Sequence, residues 1–438
     1  MPDIRPFRAL RYDPEAVGDP GLVVAPPYDV IGPDLHRVLL DRHPRNSVRL
    51  DLPETVSGED PDERYRRAAR TLTAWRSDGT LRKDSRPSVY VYEQVYRVPD
   101  TRIERTQRGF FARLRIEPFG PDSSVLPHER TLSGPKEDRY RLLRATGLNT
   151  SPVVGLYGDP GGSAAALLAS VCSSPPATDL TDDDGVRHRL WAVPDEGQGS
   201  AASRLLETAS AGPVTIADGH HRYETAVRYR DERRVNSTGE TEPAFDFLLM
   251  LFLAAEDQLT VLPTHRVVRG LGDEGTAAFV ARLPELVTVT PTTTDALEAW
   301  FGAAGELRGG EGRFGLVTRD GAWLLEARRE AFDAIAGAGG TAVRALDVWM
   351  LGAALDTLAG IDAAAVAGGS RISYTKSASE AVALVASGDA NADAAFLLEP
   401  TPVASILAVA RDGDVMPQKS TYFYPKALTG LVLNPHEW

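Results

Sequence analysis

The chain has 438 residues, 48 basic against 61 acidic, a formal charge of −13 and a single cysteine. That length predicts two or three lobes rather than one core, and the acidic balance disfavours wrapping the phosphate backbone of duplex nucleic acid. Cys172 alone cannot form an intrachain disulfide, MPDIRPFRALRY lacks a signal-peptide apolar core, and the most apolar window, Phe245 to Ala255, is far short of the roughly 20 residues that span a bilayer. A protein of the reducing cytoplasm without a membrane partner is expected.

Taken in order, Val23 to Val30 reads VVAPPYDV, a short β-like run stiffened by Pro26 and Pro27. Tyr28 and Asp29 follow, either as loop packing with an Asx-type turn or as ligand contacts. Glu63 to Leu81 has Tyr65, Ala68, Leu72 and Trp75 at helical spacing and predicts an amphipathic helix. Val89 to Val98 and Gly109 to Ile116 are rich in β-branched and aromatic residues and predict a long hairpin. Next, His128, Glu129, Arg130, Lys136, Asp138 and Arg139 crowd a dozen positions at the entrance to a helix that starts near Pro135.

GDPGGSAAALLAS predicts the start of a helix, TDLTDDDG a turn, Arg187 to Val193 a strand and Ala201 to Ser210 a helix. The densest signal is VTIADGHHRYETAVRYR, Val214 to Arg230. An apolar β-like run breaks at Gly219 into Asp218, His220, His221 and Arg222, and Tyr223, Ala226 and Val227 then recur at helical spacing. Strand, tight turn and helix follow from that pattern. The first N–H groups of a helix lack internal partners and sit at the positive end of its dipole, so such a turn suits an anion. A plainer reading makes Asp218 an N-cap and the rest solvated first-turn residues.

Two more strands are expected at Phe245 to Ala255 and Gln258 to Val268, with His265 and Arg266 near the end of the second. From Gly270 the chain turns Ala- and Gly-rich and reads helix, strand, helix, two strands, helix. Strand and helix signals alternate from Ile372 to Leu407, and MPQKSTYFYPK closes the chain with Lys419, Ser420 and Thr421. The expected division is 1–269 with the DGHHR core, 270–370 as an inserted or appended α/β lobe, and 371–438 returning to the site. The fold class is α+β, a mixed sheet with helices.

GxxxxGK[ST], GxGxxG after a strand, HExxH, paired CxxC and GxSxG are all absent, so P-loop, Rossmann, zincin and hydrolase-elbow readings are unsupported. What remains suits phosphate: Gly219 and Arg222, Arg130 with Lys136 and Arg139, and Lys419 with Ser420 and Thr421. Asp218 or Glu129 could serve as the base or hold Mg²⁺, and His220 or His221 could act as nucleophile or acid in a hydrolytic variant. Tyr28, Asp29, His128, His265 and Arg266 are candidate substrate contacts. A zinc site of His128, His220, His221 and His265 is the weaker metal reading, because adjacent histidines point in different directions.

Four motifs, APPYDVI, LPHERTLSGPKEDR, DGHHRYETA and MPQKSTYFYPK, closely resemble the prokaryotic family of domain-of-unknown-function number 1015, from Pro6 to Asn434. The Gly-His-Arg turn is also similar to the core of the ParB/sulfiredoxin superfamily, which includes nucleotide-hydrolysing partition proteins, sulfinic acid reductases and a free-serine kinase. That resemblance implies a ParB/sulfiredoxin-like core, ATP or ADP with Mg²⁺, phosphates on the turn from Gly219 to Arg222, and a serine-like hydroxyl as acceptor. The leading expectation is therefore a nucleotide-dependent small-molecule kinase. The alternatives are a phosphatase of a phosphoserine-like molecule and a nucleotide-gated binding protein of ParB type. The reductase reading fails because Gly219 stands where its cysteine would be. A homodimer is compatible with the sequence.

Overall fold

The computed structural model describes residues 1–129, 133–236, 241–302, 312–335, 337, 339–388 and 391–438. The chain is of the α+β class, built on two main sheets with helices. In the first, neighbouring strands run Val125–Leu126, Val214–Asp218, Val153–Tyr157, Phe247–Ala254, Glu104–Arg115, Ser88–Arg97, Arg187–Pro194 and Thr178–Thr181. Val214–Asp218 runs parallel to Val125–Leu126 and antiparallel to Val153–Tyr157, so the sheet is mixed. The expected hairpin is its centre, with Tyr90 opposite Phe111 and Tyr92 opposite Gly109.

Phe247–Ala254 explains why the first sheet is buried on both faces. Leu249, Leu251 and Leu253 join one core, while Leu248, Met250 and Phe252 join the other beneath the helices Ala201–Ala209 and Ser163–Cys172. A continuous apolar run is what a doubly covered strand requires.

The second sheet is antiparallel throughout: Val287–Thr292, Gly321–Ala327, Arg313–Thr318, Ala392–Leu397, His265–Arg269 and Ile372–Thr375. It takes strands from both sides of residues 270–370. Gly272–Arg282 and Asp347–Ala359 cover one face, and Thr294–Phe301 and Ala378–Ser387 the other. Among the described residues no helix is long and apolar enough to cross a membrane.

Two sequence expectations need correction. Gln258 to Val268 is not one strand: Thr260–Leu262 pairs with Tyr422–Tyr424, whereas His265–Arg269 belongs to the second sheet. Pro263 between them has no N–H for a ladder, which favours the break. TDLTDDDG is not all turn either. Thr178–Thr181 pairs with Arg187 to Leu190, and the reversal is confined to Asp182–Gly185, where Asp182 Oδ1 accepts from the N–H groups of Asp184 and Val186.

The C-terminal segment threads back through the first lobe. Ala25 and Thr429 exchange backbone hydrogen bonds, as do Leu10 and Leu433. Arg113, fully buried, donates to Asn434 Oδ1 at 2.7 Å and to the carbonyls of Pro435 and Glu437 at 2.7 and 2.8 Å. Arg113→Met leaves three acceptors without their donor. It should lower unfolding stability by about 3 kcal/mol, measured by urea denaturation; a loss below about 0.5 kcal/mol would mean the anchor is energetically idle.

Candidate functional site

The strand Val214–Asp218 turns at Gly219 into the helix His220–Asn236, as the pattern predicts. Gly219 has φ +89°, and a Cβ there would lie 3.0 to 3.1 Å from the Arg222 guanidinium. Only glycine fits both the backbone and the space. Arg222 folds back to Asp218 Oδ2 at 2.5 Å and donates to the Pro152 carbonyl. Asp218 Oδ1 takes Lys426 Nζ at 2.5 Å. Burial opposes charge on Asp218, but Lys426 and Arg222 outweigh it and hold the carboxyl far below the usual carboxylate range.

His128 lies behind this turn, 0 % exposed. Its Nδ1 must donate to the Ile216 carbonyl, so Nε2 is free to accept from the Thr421 hydroxyl at 3.0 Å. Burial lowers its pKa to about 4, so the ring is neutral at pH 7. His220 Nε2 accepts from the His128 backbone N–H at 3.3 Å, and burial followed by the field of His128 keeps His220 well below the ordinary value. Burial, then Lys136, lowers His221. Glu129 differs: burial raises its carboxyl to about 7 although the Lys419 N–H donates to Oε1 at 2.9 Å.

Side chains of all four sequence motifs line a single cavity of about 400 Å³. Tyr28 and Asp29 come from the first motif, Glu129 from the second, Asp218 to Arg222 from the third, and Lys419 and Thr421 from the last. Other expected residues stand elsewhere. Lys136 is paired with Glu224, and Arg139 is buried behind the cavity against Asp51 and Asp138, its guanidinium 4.1 Å from the Tyr28 ring centre. Ser420 is buried and donates to the Pro417 carbonyl at 2.5 Å. His265 is in the second sheet, where Nδ1 accepts from the Leu398 N–H at 3.1 Å, and Arg266 lines a different cavity. Arg130 lies outside the described residues.

The sequence reading assigned no site role to Lys376, Tyr422 and Lys426. Lys376 Nζ and Lys426 Nζ each lie 4.3 Å from the centre of the Tyr422 ring, a cation–π arrangement at the cavity wall. Lys426 sits inside the YFYPK motif and could have been read from it, whereas Lys376, in RISYTKS, carried no signal. Among the described residues neither Lys376 nor Lys419 has a carboxylate within ion-pair distance, so both charges are available to an anion. Asp218 has both oxygens committed to Arg222 and Lys426, which does not suit the metal-ligand role expected of it. No group of three His, Cys, Asp or Glu side chains among the described residues is placed to hold a metal ion.

Two outcomes follow. Gly219→Ala should displace Arg222 and cost about 1–3 kcal/mol of stability; an unchanged denaturation midpoint would remove the need for glycine. Glu129, raised from 4.5 to about 7, binds in the folded state a proton that the unfolded state releases. Its contribution is full below pH 4.5 and lost as pH rises through 7. Glu129→Gln should therefore melt several degrees above wild type at pH 8 and match it near pH 4.5, and parallel melting curves at both pH values would contradict a raised carboxyl.

No curated protein matches this chain. Solved structures to which it is similar include a conserved hypothetical protein from Pyrococcus furiosus, 13 % identical, TM-score 0.32, over 68 % of this chain and 87 % of that one. A free serine kinase in complex with AMP is 15 % identical, TM-score 0.34, over 68 % and 83 % of the two chains. SbnI with a C-terminal truncation, from Staphylococcus aureus, is 12 % identical, TM-score 0.35, over 70 % and 83 %. The resemblance holds at the level of the family: the chain matches the family model over residues 4–349, which include the first three motifs and stop short of MPQKSTYFYPK, and it belongs to the family described as protein of unknown function (DUF1015).

Proposed function

We propose that the protein is a nucleotide-dependent phosphotransferase acting on a small molecule with a hydroxyl group, in the class of serine-like amino acids. The observation that carries this reading is the cavity itself. It sets Glu129, a carboxyl held near neutrality, beside Lys376, Lys419, Lys426 and the N-terminus of the helix His220–Asn236. Phosphoryl transfer needs cations and N–H groups around the phosphoryl oxygens and a base for the attacking hydroxyl, and little covalent help beyond that.

The residues divide the work as follows. Lys376 and Lys419 hold phosphate oxygens, assisted by the first N–H groups of the helix. Glu129 takes the proton as the acceptor oxygen attacks the terminal phosphorus, and the bond to the departing nucleotide breaks with its electron pair leaving on that nucleotide. Asp218 neither takes a proton nor binds metal here; it fixes Arg222 and Lys426. His128, neutral and tied to Ile216, fixes the Thr421 hydroxyl. Magnesium would supply charge neutralisation on the nucleotide when bound, but Asp218 in its present pairing is not its ligand.

The test is nucleotide turnover with ATP or ADP across a panel of hydroxy amino acids. Glu129→Gln should reduce kcat by about 100-fold or more. The wild-type rate should rise with pH through about 7, where Glu129 becomes ionised. Lys419→Met should raise the KM for nucleotide. Release of phosphate from phosphoserine without any nucleotide would turn the reading toward a phosphatase, and wild-type turnover by Glu129→Gln would sink it.

A further inference from the structure

Tyr374 and Gln418 line the proposed phosphotransfer cavity and also a second, larger one of about 680 Å³. Part of its wall is apolar, formed by Val343, Val348, Trp349, Leu355, Ile361 and Ile372. Arg266 also lines it, although the residue is only 5 % exposed. Nη1 donates to the Thr264 carbonyl at 2.8 Å, and the guanidinium lies 5.7 Å from the Tyr374 ring centre. Among the described residues no carboxylate lies within ion-pair distance of it; Glu129, whose field reaches it, belongs to the neighbouring cavity.

A guanidinium has five N–H donors, and among the described residues one of them is used. A buried cation without a counter-ion is costly, and large apolar residues of similar volume would stabilise the same position better. The direction of its pKa agrees, since burial lowers it. An arginine kept in such surroundings is explained by a ligand that brings the missing negative charge.

The other charges restrict that ligand. Asp356, Asp362 and Asp414 also line the cavity. Asp362 accepts from the Ala365 N–H at 2.7 Å and Asp414 from the Gly340 N–H at 2.6 Å, so both are fixed as acceptors. Three carboxylates against one guanidinium repel a multiply charged phosphate. A single negative charge aimed at Arg266, on an otherwise apolar body, meets a smaller repulsion and gains the whole of the guanidinium pairing. The volume is within the roughly 300–1,000 Å³ of small-molecule sites.

We infer that this second cavity binds a small organic monocarboxylate, its carboxylate on Arg266 and its apolar body against Trp349, Leu355 and Ile372. The site is separate from the phosphotransfer reading and does not depend on it. Binding of phenylbutyrate and of its neutral counterpart phenylbutanol to the full chain, without nucleotide, is measured by titration calorimetry. Arg266→Met should weaken phenylbutyrate by about tenfold or more and leave phenylbutanol unchanged. Gly352 lies in the helix Asp347–Ala359 on the cavity wall, where an added Cβ meets nothing within 4 Å. Gly352→Leu should therefore occupy the cavity, weaken both compounds about tenfold and, as the better helix former, keep the fold. Three results would each overturn the inference: no binding of phenylbutyrate to wild type, equal affinity in Arg266→Met, or undiminished binding in Gly352→Leu. Because the readout is heat without nucleotide, loss of phosphotransfer and loss of carboxylate binding are separately visible.

Discussion

The arrangement turns on the half-buried carboxylate of Asp218, which holds Arg222 with one oxygen and Lys426 with the other. One pair is local, four residues apart around the Gly219 turn; the second reaches across 208 positions to the C-terminal segment. Burying an ionised carboxylate is unfavourable unless each oxygen is matched, and here both are. The constraint therefore runs both ways: the turn fixes where Lys426 must be, and Lys426 brings Tyr422 and Thr421 to the wall of the cavity.

Around that pin the two sheets meet. Thr260–Leu262 leaves the first lobe, pairs with Tyr422–Tyr424, and passes through Pro263 into His265–Arg269 of the second sheet. The cavity at this seam consequently has walls from both lobes, with Lys376 contributed by the second and the helix N-terminus by the first. Functional groups at such a seam need no strand of their own; they need only lie near the ends of strands that are fixed by other cores. Glu129 shows the electrostatic result. At Glu129 desolvation outweighs the backbone hydrogen bonds and the charge of Lys419, whereas at Asp218 the two cations win, so one carboxyl moves up and the other down.

Much of this was legible in the sequence where the signal is local. The strand, turn and helix at Val214 to Arg230 follow from an apolar run, a glycine and helical spacing within seventeen positions. The central hairpin follows from β-branched and aromatic density. Long-range pairing was not legible. Arg139 and Lys136 sit in a charged run and read as phosphate ligands, yet their partners Asp51 and Glu224 lie far along the chain. Lys376 drew no reading at all, because nothing in RISYTKS marks the Tyr422 ring that it faces. Arg266 was read as a candidate substrate contact near the end of a strand; the cavity that it lines is walled in part by the helix Asp347–Ala359, far along the chain, and no periodicity announces a void.

The return of the C-terminal segment has a consequence for biosynthesis. Leu10 waits for Leu433, Ala25 for Thr429 and Asp218 for Lys426, and loop closure over such distances is slow because its entropy is lost before any contact is made. On the ribosome the first sheet can collapse early around its hairpin, but the charged turn has no counter-ion from Lys426 until that distant segment has been made. A growing chain thus carries a site with its two halves unjoined, and whatever binds there meets a competent pocket only once the segment that carries Lys426 has docked.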